Sequence, residues 1–238
     1  MIEKTVMITG ASKGLGKALA FSFADAGYRL SICARGEKEL LQVRDALIGK
    51  GAEVIAIVAD ASKTEEVERF VSITEHAYGN IDVLINNASY LGPSPIPSLL
   101  DYSPIEFREV MRVNAEGPFL VTKRVLPGMI RRKKGSIINV TSEAGGTGYA
   151  GWGAYGISKF ALEGMTETWA DELSGSGVRV NMVDPGEMDT EMHEKAVPDC
   201  DYLLERPENV TNVFLHLAES NDTGVRVEAQ RLKDGDGS

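Results

Sequence analysis

The feature that most constrains this chain is a regular alternation of short apolar, β-branched runs with longer stretches of helical period. TVMIT (5–9), LSICA (30–34), EVIAIVA (53–59), IDVLIN (81–86), SIINVT (136–141) and VRVNMV (178–183) read as strands. Between them, residues 15–26, 37–48, 65–78, 104–132 and 152–173 place apolar side chains at helical spacing. Strands that are apolar throughout, rather than alternating, belong to a parallel sheet covered on both faces. Right-handed crossovers then leave one architecture: an α/β, doubly wound, Rossmann-type sheet, mostly parallel, of about seven strands with helices on both faces. Val225 and Val227 supply a final strand. No linker or repeat divides residues 1–238, so a single domain is expected.

Helix boundaries support the segmentation. Ser103-Pro104-Ile105-Glu106 combines an N-cap, a proline at the first helical position and a capping-box glutamate, and Ser62 to Glu65 repeats the capping spacing. The basic run Arg131-Arg132-Lys133-Lys134 suits a helix C-terminus, where cations complement the dipole. Residues 91–98 (LGPSPIPS) form a proline-rich, extended loop.

Charge narrows the partners. A formal net charge of -10 argues against nucleic acid, anionic membrane surfaces and acidic proteins, all of which reward clustered lysine and arginine. Cys33 lies in an apolar strand and Cys200 between two aspartates, with no CxxC pair, which points to a reducing compartment. No apolar run reaches the ~20 residues of a membrane span. MIEKTVMITG enters a strand at once, without the pattern of a signal peptide, so the cytoplasm is the expected location.

The first strand runs into Thr9-Gly10-Ala11-Ser12-Lys13-Gly14-Leu15-Gly16, with a helix behind it. Glycines let backbone approach a ligand, and the helix N-terminus offers unpaired N–H groups and a positive dipole end. That is the chemistry of a pyrophosphate site; the alternative is a turn that binds nothing. Strand two ends Cys33-Ala34-Arg35, with no carboxylate for a ribose 2′-hydroxyl. The planar fork of Arg35 suits a 2′-phosphate instead, with Lys13 as a second positive charge, so NADP(H) is expected over NAD. Otherwise Arg35 is simply solvated.

Tyr155-Gly156-Ile157-Ser158-Lys159 opens the helix after strand five, with Tyr155 and Lys159 one turn apart on one face. A neighbouring ammonium stabilises phenolate, so Tyr155 is expected to titrate below its ordinary ~10 and to exchange a proton with a carbonyl or alcohol oxygen. Ser142, at the carboxyl edge of strand five, can bond the same oxygen. Pro118 has no N–H for the Asn114 carbonyl and is expected to kink the long helix there. The freed carbonyl can hold a water, or the kink is purely structural.

In these motifs the chain resembles the short-chain dehydrogenase/reductase family in its short single-domain form. The matches run in order from TGASKGLG through Asp60, Asn86-Asn87-Ala88, Asn114, Ser142 and YGISK to Pro185-Gly186 and Thr190. The resemblance implies a dinucleotide-binding oxidoreductase domain with Tyr155 as proton donor, and Lys159 as its partner that also holds the nicotinamide ribose. It makes Ser142 the oxygen-polarising residue and Asn114 the holder of a proton-relay water. Asp60, with Ala61 beside it, becomes the adenine contact and Asn87, with Ala88, the cofactor support. The nicotinamide amide would meet the loop of Pro185, Gly186 and Thr190. It also implies dimers or tetramers, for which Phe160, Gly164 and Thr168 give helix 152–173 a flat stripe. The chain departs from the family pattern at Ser89, where glycine is usual. The ending after Thr223 lacks Val-Asp-Gly-Gly, and the lid, residues 187–206, is short.

The expected function is therefore an NADP(H)-dependent carbonyl reductase or alcohol dehydrogenase. Tyr90, Glu143, Tyr149, Trp152, Met188 and Met192 are candidate pocket residues, suggesting a small, partly apolar ketone; no metal is expected. Two other readings stand beside it: a reductase of 3-oxoacyl chains on a carrier protein, and a non-catalytic NADP(H) sensor.

Overall fold

The computed structural model describes residues 4–230. Seven strands form one sheet in the order β3-β2-β1-β4-β5-β6-β7, every neighbouring pair parallel. They are β1 (Thr5–Thr9), β2 (Arg29–Ala34), β3 (Val54–Val58), β4 (Val83–Asn86), β5 (Gly135–Val140), β6 (Val178–Asp184) and β7 (Arg226–Glu228). The chain winds outward from β1 to β3, then returns to the far side of β1 with β4. That reversal opens a crevice above the carboxyl ends of β1 and β4, where ligands of such sheets bind.

Each face of the sheet has its own core. Along β1, Val6 and Ile8 join Leu30, Ile32, Phe23 and Phe214 on one side, while Met7 joins Phe70, Leu84, Val121 and Ile137 on the other. The first side is covered by α1 (Gly14–Asp25), α2 (Glu37–Gly49) and α8 (Thr211–Glu219), the second by α3 (Thr64–Tyr78), α5 (Gly117–Arg132) and α6 (Gly153–Glu172). Each fully buried leucine, isoleucine or phenylalanine contributes about 1.5–3 kcal/mol relative to exposure.

Beneath the crevice a polar chain crosses this apolar interior. Asn86 Nδ2 donates to Thr122 Oγ1 (3.1 Å) and Asn139 Oδ1 (2.8 Å), and Asn139 Nδ2 donates to Thr166 Oγ1 (2.8 Å). β4 and β5 are thereby locked to α5 and α6, which fixes the strand ends that carry the site.

The expected helix 104–132 is divided into α4 (Pro104–Met111), a π-helical turn (Arg112–Glu116) and α5. Pro118 breaks the α-helical ladder as anticipated, but the chain absorbs the loss in a widened turn whose Gly117 N–H bonds the Arg112 carbonyl. Pro104 opens α4 at its first turn, while Ser103 makes no side-chain cap bond. Ser62 caps nothing: α3 starts behind Lys63, and the Ser62 hydroxyl bonds Asp60. The basic run ends α5 as expected, with Lys133 in the left-handed conformation (φ 51°). The C-terminal residues beyond Gln230 lie outside the described residues; before them β7 pairs with β6 as Val225 and Val227 suggested. No helix among the described residues is long and apolar enough to cross a membrane.

Candidate active site

The crevice is a cleft of about 1320 Å3 that runs from the glycine turn, over the ends of β4 and β5, to the segment after β6. At one end the backbone does the shaping. A Cβ on Gly10 would sit 2.8 Å from Ala88 Cα, and one on Gly16 would sit 2.3 Å from the Gly10 carbonyl oxygen. Gly10 also has φ 68°, so no other residue fits there without strain. Asn87 braces the turn: its Nδ2 donates to the carbonyls of Thr9 (2.9 Å) and Gly10 (3.1 Å). The backbone N–H groups of Asn87 and Ala88 both donate to Thr9 Oγ1 at 3.0 Å. Ser12, Gly14, Leu15 and Gly16 line the cleft at the start of α1, which has no side-chain cap. This tight, amide-rich cradle fits a pyrophosphate.

The two basic residues expected there differ. Arg35 is exposed on the cleft wall and makes no hydrogen bond or salt bridge among the described residues, so its fork is available to a phosphate. Lys13 is instead ion-paired with Glu191 of α7 (Glu191–Ala196), and is not the spare charge that its place in the turn suggested. Its ammonium and Lys195 together hold the Glu191 carboxyl down at about 2. Asp60 receives the Ser62 N–H (3.0 Å) and hydroxyl (2.5 Å), with Arg112 at 3.4 Å. Burial works to raise its pKa, but the Ser62 bonds and the Arg112 charge prevail and hold it below the usual range. Ala61 lines the wall beside it.

Ser142 and Tyr155 meet at the floor. Ser142 follows β5, and Tyr155 and Lys159 come from the first turns of α6. The hydroxyls of Ser142 and Ser89 both act on the Tyr155 hydroxyl, favouring its ionised form. Tyr155 is 7% and Lys159 2% exposed. Lys159 Nζ donates to the Val140 carbonyl (2.9 Å) and lies 5.4 Å from the centre of the Tyr155 ring. The expected lowering of the phenol is not found: burial pushes Tyr155 up to about 12, against the pull of Ser142 and Ser89. The lysine is directed at a strand carbonyl rather than at the hydroxyl, and burial pushes its own ammonium down to about 8.

Asn114 lies beneath the cleft, 1% exposed, with its side chain fully engaged. Nδ2 donates to the Tyr90 carbonyl and to Ser158 Oγ, both at 2.9 Å, while Oδ1 accepts the Tyr90 N–H (2.7 Å) and the Ser89 hydroxyl (3.2 Å). It ties the loop after β4 to α6. Tyr90 is not a wall of the cleft: its ring packs with Tyr102, Val110 and Ala154 on the α4 side, because Asn114 holds its backbone on both edges. The other candidates, Glu143, Tyr149, Trp152, Met188 and Met192, do line the cleft, as do Pro185, Gly186 and Thr190. Tyr149 donates to Glu143 Oε1 (2.5 Å). Trp152, Met192, Leu91, Ile96 and Ala196 pack around Tyr155 and Ala144.

Sequence reasoning noted Ser89 only as a departure, read His193 as part of a solvated lid helix and Leu91 as loop, and did not single out Asp184; all four line the cleft. Asp184 had a usable signal, since it ends β6 at the ligand-binding edge. His193 Nε2 is paired with Glu187 at 3.3 Å, and no group of metal-ligating side chains is found among the described residues.

The short chain dehydrogenase family model matches residues 4–201. The chain is 36% identical over 234 residues to the 3-oxoacyl-(acyl-carrier-protein) reductase of Thermotoga maritima, covering 93% of each protein. A protein of Escherichia coli CFT073 described as a short chain dehydrogenase, solved with NADPH, superposes with a TM-score of 0.88 at 29% identity over 97% of this chain and 98% of that one. The 3-ketoacyl-(acyl-carrier-protein) reductase of Brucella melitensis, solved with NADH, superposes with a TM-score of 0.89 at 26% identity over 96% and 97%.

Proposed function

The chain belongs to the short-chain dehydrogenase/reductase family, a family of oxidoreductases acting on CH–OH and C=O groups, and from that premise we propose that it is an NADP(H)-dependent reductase of small, partly apolar ketones. The observation that carries this reading is the convergence of Ser142, Tyr155 and buried Lys159 on one cleft beside the glycine turn. Gly10 to Gly16 would hold the pyrophosphate, Arg35 the 2′-phosphate, Asp60 and Ala61 the adenine end, and Pro185, Gly186 and Thr190 the nicotinamide end. Bound there, the nicotinamide supplies or accepts the hydride.

The side chains do the rest. Ser142 donates a hydrogen bond to the carbonyl oxygen and fixes it beside the Tyr155 hydroxyl. Tyr155 then gives its proton to that oxygen as charge develops on it; the phenol, held protonated up to about 12, is loaded for this task throughout the neutral range. Lys159 carries its charge near the phenolate left behind, and Asn114 keeps Ser89 and Ser158 in place around both.

The substrate end of the cleft is lined by Leu91, Trp152, Met192 and Ala196. Lys13 and Arg35 stand at the glycine turn, while Glu143 faces the substrate end, which disfavours carboxylate substrates. Residues 187–206, with α7, act as the lid. The exposed stripe of Phe160, Gly164 and Thr168 on α6 is the face offered to a second copy.

A second reading is supported by the Thermotoga maritima relative: reduction of a 3-oxoacyl group on a carrier protein. The net charge of -10 opposes docking of an acidic carrier. NADPH oxidation measured against a panel of free ketones and a carrier-bound 3-oxoacyl substrate, with NADH in parallel, separates the two. Turnover of neither sinks both.

A further inference from the structure

Behind Ser142 lies a cluster of partly buried charge that the proposed reaction does not use. Arg226, the first residue of β7, reaches back across the end of the sheet. Its Nη2 donates to the Ser142 backbone carbonyl (3.1 Å) and to Asp184 Oδ2 (3.0 Å). Nε donates to Glu163 Oε1 (3.1 Å) and Nη1 to Glu228 Oε1 (2.9 Å). The four acceptors belong to the segment after β5, to β6, to α6 and to β7, so one planar fork joins four elements. Glu163 also accepts the Thr141 hydroxyl at 2.6 Å, which fastens the residue before Ser142 to the same cluster.

We propose that Arg226 is a positioning residue of the reaction: it tethers the backbone that presents Ser142, and it balances the Asp184 and Glu163 carboxylates whose charge reaches the Tyr155–Lys159 pair. This rests on the oxidoreductase reading above and adds to it the last strand, whose sequence leaves the family pattern.

Two separable effects follow. The tether holds the backbone of Ser142 where it lines the cleft with Tyr155. The charge sets the proton affinity of the pair. Lys159 faces Asp184 from β6, Glu163 from its own helix and the Val140 carbonyl from β5. Asp184 faces Arg226 and Glu228 and accepts the Gly186 N–H at 3.0 Å. Without the guanidinium the two carboxylates act unopposed: both favour the ammonium of Lys159, and Asp184 disfavours the phenolate of Tyr155. Both groups then hold their protons to higher pH.

The test is alcohol oxidation with NADP+ across pH, on the full chain, with R226M and R226K. R226M is expected to lower kcat by roughly tenfold to a hundredfold, the scale of a small misplacement at the reacting centre. It should also move the alkaline limb of kcat/KM upward by about 0.5 pH unit or more. R226K keeps the charge without the fork, so it should restore the limb and leave kcat low. Unchanged kcat and limb in R226M, or equal losses in both variants with an unmoved limb, overturn the proposal. If R226M does not fold, D184N with Arg226 intact must move the limb to lower pH, and an unmoved limb overturns it there. Wild-type protein without turnover on any substrate overturns the oxidoreductase reading itself, and the positioning role with it.

Discussion

The two ends of the cleft are built on different principles. The end at β1 and β2 is made of backbone: glycines, carbonyls and amides braced by the neutral side chains of Asn87 and Thr9. The end at β5, β6 and β7 is made of charge, with Lys159 and Asp184 buried and Glu163 and Arg226 half-buried beside them. The first selects by shape and cannot be retuned without a clash. The second sets proton affinities and responds to any charge added or removed.

Tyr155→Phe strikes the second end alone. It should lower kcat about a thousandfold, with NADPH affinity within about threefold of wild type by fluorescence titration. A Phe variant with normal turnover breaks the division outright. Gly16→Ala strikes the first end, placing a Cβ 2.3 Å from the Gly10 oxygen and 2.5 Å from Asn87 Nδ2. NADPH affinity should fall by about tenfold or more while the pH profile of the remaining activity stays put. Arg35→Ser sharpens the comparison: kcat/KM with NADPH should fall roughly tenfold and with NADH hardly at all. Equal losses with both would show that Arg35 serves the turn rather than the phosphate.

The charged end also predicts a pH-dependent stability. Lys159 titrates near about 8 in the folded chain, against about 10.4 when unfolded. Between those values the unfolded chain binds more protons, so stability rises with pH across that window. Lys159→Met removes the effect. Its urea midpoint should exceed that of wild type at pH 7, with the gap closing toward pH 10; a constant gap refutes the buried-cation account. The smallest change is expected from Ser89→Gly, which restores the residue usual in the family and removes the hydroxyl that bonds Asn114 and weakly pulls on Tyr155. A shift in kcat of about threefold or less fits a single neutral hydrogen bond.

The same contrast explains what the residues revealed on their own. The parallel, doubly wound sheet and the glycine turn were legible because they rest on local pattern: apolar period, a glycine spacing, a strand running into a helix. Proline at 118 announced the broken ladder, although not that a π-helical turn would absorb it. Charge partnerships were not legible. Lys13 was expected to be free and is held by Glu191, and Tyr155 was expected to be acidified and is raised by burial. Nothing near 226 in the chain says that its guanidinium will find Ser142, because the partners come from segments far apart in sequence. Tyr90 misled for a related reason: its ring direction is decided by Asn114, which grips the backbone on either side of it.

The Asn87 amide occupies the space into which a side chain at position 10 or 16 would project, 3.0 and 2.5 Å from the built Cβ positions. Three residues from two distant stretches of chain therefore share a single volume. Descendants of this sequence can change one of them only by changing the others, so the three should be inherited as a block, and double-mutant cycles among them should be far from additive.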